Sequence, residues 1–129
     1  MAILVRPDVG LAGGLSGCRK IAAIAEAHHC GIVPHNFLGP GLTAPTLHLC
    51  ATIANLVTME YLPLDEDKTS YSAAITTTVV RNGGYCEIPE EPGLGISLVE
   101  DYAEVAPVAE RPFSAEELLR ADGSVAAAY

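Results

Sequence analysis

The chain has 129 residues, enough for one ordinary domain, and half of them are apolar. Its 7 basic and 16 acidic residues give a net charge of −9, so it lacks the basic stripe of a nucleic-acid-binding protein, and DNA or RNA is disfavoured as a partner. No run of about 18 apolar residues indicates a membrane span, and residues 1–5 are too short a run for a secretory signal.

The cysteines are far apart in the sequence and form no Cys-x-x-Cys pair. Two disulfides are formally possible among the four. In a chain without a signal peptide we instead expect reduced, buried thiols and a cytoplasmic protein. A structural zinc site is disfavoured, because its ligands are usually more closely paired. The four cysteines are Cys18, Cys30, Cys50 and Cys86.

The first half of the chain alternates short apolar runs with amphipathic segments. The pattern predicts, in chain order, a strand at 2–5, a helix at 17–29, a strand from 32, a helix at 43–53 and a strand at 55–59. Ser16 is the predicted N-cap of the first helix, and Gly31 the residue that closes it. The predicted inward-facing residues are Ile21, Ile24, Ala25 and His28 on the first helix, and Ala44, Leu47, His48 and Ala51 on the second. This order of elements favours an α/β fold with parallel strands joined by right-handed crossovers.

The second half has a different pattern. β-branched residues at 71–81, the turn signal Asn82-Gly83 and residues 85–88 predict a hairpin. A loop at 92–95, a short helix within 98–106 and a helical turn at 114–120 follow. The mild boundary near 63–70 divides the chain into residues 1–62 and 63–129.

Three ionisable residues each follow a predicted strand: Asp8, His35 and Glu60. The carboxyl ends of parallel strands are where active sites of α/β proteins gather. An Asp beside a His orients the imidazole, which makes the pair a competent general acid–base group. Glu60 is placed to hydrogen-bond a substrate hydroxyl or carboxylate. On spacing alone, a structural histidine remains the more usual interpretation of His35.

Several short motifs favour a catalytic interpretation of His35 over a structural one, because they occur together and in order. Together they resemble the C-terminal part of the enolase superfamily, in particular the mandelate racemase subgroup and its acid-sugar dehydratases of the galactonate dehydratase type. The resemblance covers about residues 1–100, and more loosely Asp122-Gly123-Ser124. The motifs are Arg6-Pro7-Asp8, Gly13-Gly14, Pro34-His35-Asn36 with Gly39-Pro40, Glu60, and Pro92-Gly93-Leu94-Gly95.

The resemblance implies a fold. Residues 1–62 would be the last βα units of a modified TIM barrel, with about three parallel strands and their crossover helices. Residues 63–129 would be the hairpin, loop and tail that belong to the capping region. A barrel portion of this kind leaves both sheet edges open and apolar faces exposed, which agrees with a mean hydropathy of +0.30. We therefore expect self-association, or a missing N-terminal segment that supplies the remaining strands.

The resemblance also implies a reaction on a small-molecule sugar acid. A proton α to the carboxylate is removed, an enediolate forms, and the β-hydroxyl leaves. His35 would be the acid that helps the hydroxyl depart, or the base on one face in a racemase. Asp8 would hold the His35 tautomer, and Glu60 would stabilise the developing enediolate. Asn36 would either contact the substrate or hold its own loop by a hydrogen bond.

The family's cofactor is Mg²⁺, held by carboxylates at the ends of the third, fourth and fifth strands, with a further base at the end of the second. The matching part of this chain begins at the sixth strand, so the Mg²⁺ ligands are expected outside it and the chain is expected to be inactive alone. Two alternatives to a dehydratase stay open. One is a mandelate racemase-like racemase, and the other is a non-catalytic truncated remnant or interaction module of the same fold.

Overall fold

The computed structural model describes residues 3–37, 39–62, 70–76, 79 and 81–106. The predicted helical turn at 114–120 and the motif at 122–124 lie outside the described residues. The elements in chain order are β1 (Leu4–Val5), α1 (Gly14–Ala27), β2 (Gly31–Ile32), α2 (Pro40–Cys50), a 3-10 helix (Ser70–Ala74), β3 (Arg81–Asn82), β4 (Tyr85–Cys86) and α3 (Tyr102–Val105).

Three parallel backbone segments carry the first half of the fold, with β2 in the middle. β1 pairs with β2 in parallel, with Leu4 opposite Gly31. On its other side, β2 meets the third segment through a parallel bridge between Ile32 and Leu56. The Val57 amide donates a 2.9 Å hydrogen bond to the Ile32 carbonyl there. The parallel arrangement agrees with the prediction, although each segment is shorter than the sequence pattern indicates.

α1 differs from the prediction in both its start and its buried face. It begins at Gly14, and its N-cap is Gly13 in the left-handed conformation (φ 82°), not Ser16. Its buried residues are Cys18, Ala22 and Ala25, whereas Ile24 is 63% exposed. Of the four predicted inward-facing residues, Ala25 is buried and Ile21 is half-buried, whereas the prediction was wrong for Ile24 and His28, which are exposed. Ala22 and Ala25 pack with Ile32 of β2, and their small side chains let the helix backbone lie close to the sheet. Cys18 instead packs with Val9 and with Leu49 of α2.

The end of α1 also differs from the prediction. The left-handed residue is His29 (φ 55°), and Gly31 instead forms part of β2. A Cβ at Gly31 would lie 2.5 Å from Val57 Cγ2 and 3.0 Å from Leu4 Cδ2. Glycine at this position therefore permits the close approach of the two neighbouring segments.

α2 begins at Pro40, three residues earlier than predicted, so Pro45 lies inside the helix and not in its first turn. Pro40 occupies the first turn, where the missing N–H costs nothing. Ala51, predicted on the inward stripe, is exposed just beyond the helix. The helix packs on more than one side, which is why a single stripe described it poorly. Its buried residues are Pro40, Thr43, Ala44, Pro45, Thr46, Leu47 and Leu49.

In the second half, the hairpin lies where it was predicted, but its turn is one residue later than Asn82-Gly83, because Asn82 belongs to β3. β3 and β4 are antiparallel and leave Gly83 and Gly84 as a two-residue turn. The predicted strand at 71–81 was wrong over residues 71–74, which belong to the 3-10 helix Ser70–Ala74. The predicted helix within 98–106 is limited to α3. Among the described residues, no helix is long and apolar enough to cross a membrane.

Gly17, near the start of α1, packs closely against the loop that joins β1 to α1. A Cβ added there would lie against the backbone carbonyl of Ala12, well inside contact distance. Gly17→Ala should therefore lower the free energy of unfolding by about 2 kcal/mol, although alanine ordinarily favours a helix. The neighbouring exposed Ser16→Ala is the control and should change it by about 0.5 kcal/mol or less. Urea titration followed by circular dichroism measures both, and a stabilised Gly17→Ala variant would contradict this packing.

Candidate active site

The strand pairing continues past β1 and β2 to the three predicted site residues. Asp8 and His35 form a parallel bridge, and the His35 amide donates a 3.0 Å hydrogen bond to the Pro7 carbonyl. The Glu60 amide lies 3.3 Å from the Pro34 carbonyl on the other side. Three segments thus end side by side, and the structure brings Asp8, His35 and Glu60 together.

Asp8 is 6% exposed, and both of its carboxylate oxygens have partners. Oδ1 accepts hydrogen bonds from the backbone amides of Gly10 (2.7 Å) and Leu11 (3.2 Å). Oδ2 lies 2.7 Å from Nδ1 of His35. Because an ionised carboxylate can only accept, Nδ1 carries the hydrogen of this bond. The loop after β1 therefore fixes the carboxylate, and the carboxylate fixes the imidazole tautomer.

His35 keeps its other nitrogen available for chemistry. Its side chain is 37% exposed, and Nε2 lies 3.8 Å from Oε2 of Glu60. The exposed Phe37 ring stacks on the imidazole, with centroids 6.3 Å apart and planes at 15°. With Nδ1 bonded to Asp8, Nε2 is the nitrogen of His35 that could exchange a proton with a ligand.

Glu60 is held as an ionised carboxylate. Its Oε2 accepts hydrogen bonds from the Asn36 amide (3.1 Å) and from Nη2 of Arg6 (2.9 Å). The Asn36 amide lowers the pKa of Glu60 most, and Arg6 and His35 lower it further, against the opposing effect of partial burial. At neutral pH the Glu60 side chain therefore accepts hydrogen bonds and has no proton to donate.

Asn36 lies beneath this carboxylate and is 2% exposed. Its Nδ2 donates to Thr43 Oγ1 (2.8 Å) and approaches the Glu60 carbonyl at 3.3 Å. Of the two roles expected for Asn36, this burial favours the hydrogen bond that holds the loop. Through it, the first turn of α2 is tied to the segment that carries Glu60.

Sequence reasoning missed three residues of this arrangement: Arg6, Phe37 and Thr43. Arg6 lies two residues before Asp8 and Phe37 two residues after His35. These spacings were a usable signal for Arg6 and Phe37, because in an extended segment alternate side chains lie on the same face. Thr43 is a helical residue bonded to an asparagine seven positions earlier, and no spacing rule indicates that contact.

The described residues do not fit a divalent metal site. No group of three or more His, Cys, Asp or Glu side chains in that part of the chain could hold a metal ion. Both oxygens of Asp8 are already bonded, and the His35 imidazole lies between Asp8 and Glu60.

The sequence and the fold described above resemble those of known proteins. Residues 2–102 match the family described as enolase C-terminal domain-like. The chain belongs to this family. It is 36% identical to a D-galactonate dehydratase of Xanthomonas oryzae pv. oryzae over 76% of the chain, and 35% identical to one of Ralstonia pickettii over 95% of the chain. It spans 27% and 33% of the lengths of these two relatives.

Solved structures give the same result. A mandelate racemase/muconate lactonizing enzyme from Jannaschia sp. CCS1 superposes with a TM-score of 0.71 at 29% identity, over 84% of this chain and 27% of that one. An enolase of the mandelate racemase subgroup from Agrobacterium tumefaciens gives 0.69 at 35% identity, over 80% and 28%. The chain thus has the α/β fold of an enolase-superfamily C-terminal domain and resembles the galactonate dehydratases of the mandelate racemase subgroup.

The pH dependence of stability tests the ionised state of Glu60. Because its pKa in the folded chain lies below the ordinary 4.5, ionised Glu60 stabilises the fold above that pH, and this stabilisation is lost as the pH falls through the lowered pKa. Wild type should therefore unfold with a higher free energy than Glu60→Gln at neutral pH, and the difference should shrink in acid.

Denaturant titrations of both proteins between neutral pH and about pH 3 measure this difference. Glu26→Gln, which removes an exposed carboxyl of α1, is the control for the loss of one charge. If the difference in free energy of unfolding between wild type and Glu60→Gln stayed constant across this pH range, Glu60 would not be held ionised by its neighbours.

Proposed function

We propose that this chain supplies the acid–base part of a sugar-acid dehydratase. The observation that carries the proposal is the 2.7 Å contact between Asp8 Oδ2 and His35 Nδ1, with Nε2 left accessible at the ends of three parallel segments. The names of the relatives, D-galactonate dehydratase, support the substrate class. We further propose that residues 1–62 are the last βα units of a TIM-type barrel and residues 63–129 belong to the capping region.

In the proposed reaction, protonated His35 donates its Nε2 hydrogen to the β-hydroxyl of the sugar acid. The bond between the β-carbon and this oxygen breaks, and the hydroxyl leaves as water. The electron pair left after removal of the α-proton forms the new carbon–carbon double bond, and the resulting enol becomes a 2-keto-3-deoxy acid. Asp8 stabilises the imidazolium and keeps Nε2 directed at the leaving group. We assign removal of the α-proton to a base outside the described residues.

The remaining parts of such a site are also assigned outside the described residues. Mg²⁺ needs several oxygen ligands in near-octahedral geometry. We propose that these ligands come from a further segment of a longer chain or from a partner protein. We propose the cytosol as the compartment, and the thiols of Cys18, Cys30 and Cys50, which form no disulfide, support that. In a racemase, neutral His35 would instead accept a proton from the α-carbon, so the two reactions are distinguished by their products.

A chimera tests the proposal directly. Residues 2–102 replace the matching segment of the Xanthomonas oryzae D-galactonate dehydratase, and formation of the 2-keto-3-deoxy acid from D-galactonate is measured with Mg²⁺ present. The chimera should turn over, and the 129-residue chain alone should not. His35→Asn in the chimera should lower kcat by about 100-fold or more, because a general acid contributes at least that much.

His28→Asn, which changes an exposed histidine after α1, is the matched control and should leave the rate unchanged. Full activity of the His35→Asn chimera would contradict the role of His35. A folded chimera without any turnover would favour the non-catalytic alternative, and interconversion of epimers without loss of water would favour the racemase.

A further inference from the structure

Arg6 is a charged residue at the candidate site to which the proposed reaction gives no task. Its side chain is 53% exposed, and its Nη2 donates a 2.9 Å hydrogen bond to Oε2 of Glu60. A guanidinium has five N–H donors in a planar fork, so this contact leaves most of them available to a ligand. The same Glu60 oxygen lies 3.8 Å from Nε2 of His35, which places the guanidinium next to the proton-transfer position.

Glu60 itself is poorly suited to the task that the resemblance implies for it. Stabilising an enediolate requires a hydrogen-bond donor or a positive charge near the oxygens on which negative charge develops. The Oε2 atom of Glu60 is the acceptor for both the Arg6 guanidinium and the Asn36 amide. A carboxylate in this state has no hydrogen to donate, and its charge repels the carboxylate of the substrate.

The overall charge of the site supports the same conclusion. With His35 protonated, the two carboxylates are balanced by the imidazolium and the Arg6 guanidinium. Without Arg6 the cluster would keep one net negative charge, which would repel a sugar acid as it approaches Nε2. The Arg6 guanidinium therefore removes this net negative charge from the cluster.

We propose that Arg6 binds the carboxylate of the sugar acid and stabilises the negative charge that develops on it, with Glu60 as the positioning residue that holds the guanidinium beside His35. This inference rests on the proposed function. A guanidinium matches a carboxylate in a bidentate geometry, which a point charge does not provide. Glu60 limits the motion of Arg6 because its own oxygen is also held by the backbone amide of Asn36.

Binding of D-galactonate to the 129-residue chain tests the inference without any need for turnover. The ligand is titrated into ¹⁵N-labelled protein to tens of millimolar, and the Arg6 Nε–Hε and His35 Nε2 resonances are followed by NMR. Both should shift in the wild type. Arg6→Met should weaken binding tenfold or more, and galactitol, the uncharged polyol, should cause little shift at Arg6.

The control is Arg19→Met, which removes an exposed arginine of α1 and should leave the affinity unchanged. Glu60→Gln should weaken binding less than Arg6→Met does, because the guanidinium remains. The reverse order, with Glu60→Gln abolishing binding and Arg6→Met leaving it intact, would overturn the inference and assign the contact to Glu60.

The remaining outcomes separate the inference from the proposed function. Shifts at His35 that Arg6→Met does not weaken would leave the proposed function standing and reject Arg6 as the carboxylate ligand. Shifts at Arg6 without any at His35 would support anion binding by Arg6 and count against His35 as the acid. No shift at either residue in the wild type would reject both.

Discussion

Parallel pairing in constant register is the constraint on which the candidate site depends. Each residue of the first segment lies beside the residue 27 positions later, from Leu4 opposite Gly31 to Asp8 opposite His35. A slip of one residue would turn His35 to the other face of the sheet and separate it from Asp8. Gly31 matters for this reason, because its missing side chain lets the third segment approach closely enough to bring Glu60 to the same edge.

The side chains of Asp8, His35, Glu60 and Arg6 then lie next to one another along that edge. The loop amides hold Asp8, Asp8 holds Nδ1 of His35, and Glu60 lies opposite Nε2 with Arg6 bonded to it. When His35 is protonated, positive and negative members alternate along this set of four side chains. This alternation keeps carboxylates close together without a large electrostatic cost and leaves one imidazole nitrogen and one guanidinium available to a ligand.

The sequence predicted the parts of this arrangement that depend on local pattern. Asp8, His35 and Glu60 each follow an apolar run, and the Asn82-Gly83 signal locates the hairpin. The buried face of α1 could not be predicted in this way, because Cys18 and Ala22 pack inward while the larger Ile24 stays exposed. The lowered pKa of Glu60 was also not predictable, since the Asn36 amide and Arg6, which lie 24 and 54 residues earlier, contact Glu60 only in the folded chain.

The tautomer of His35 tests the central claim most directly. The ¹⁵N shifts of the neutral imidazole, measured by NMR in the 129-residue chain, should show hydrogen on Nδ1 and a free Nε2. Asp8→Asn should move the hydrogen to Nε2, because the amide oxygen would take the loop amides and its NH₂ group would face Nδ1. The His28 ring serves as an internal reference. Hydrogen on Nε2 in the wild type, or no change in Asp8→Asn, would contradict the Asp8–His35 contact.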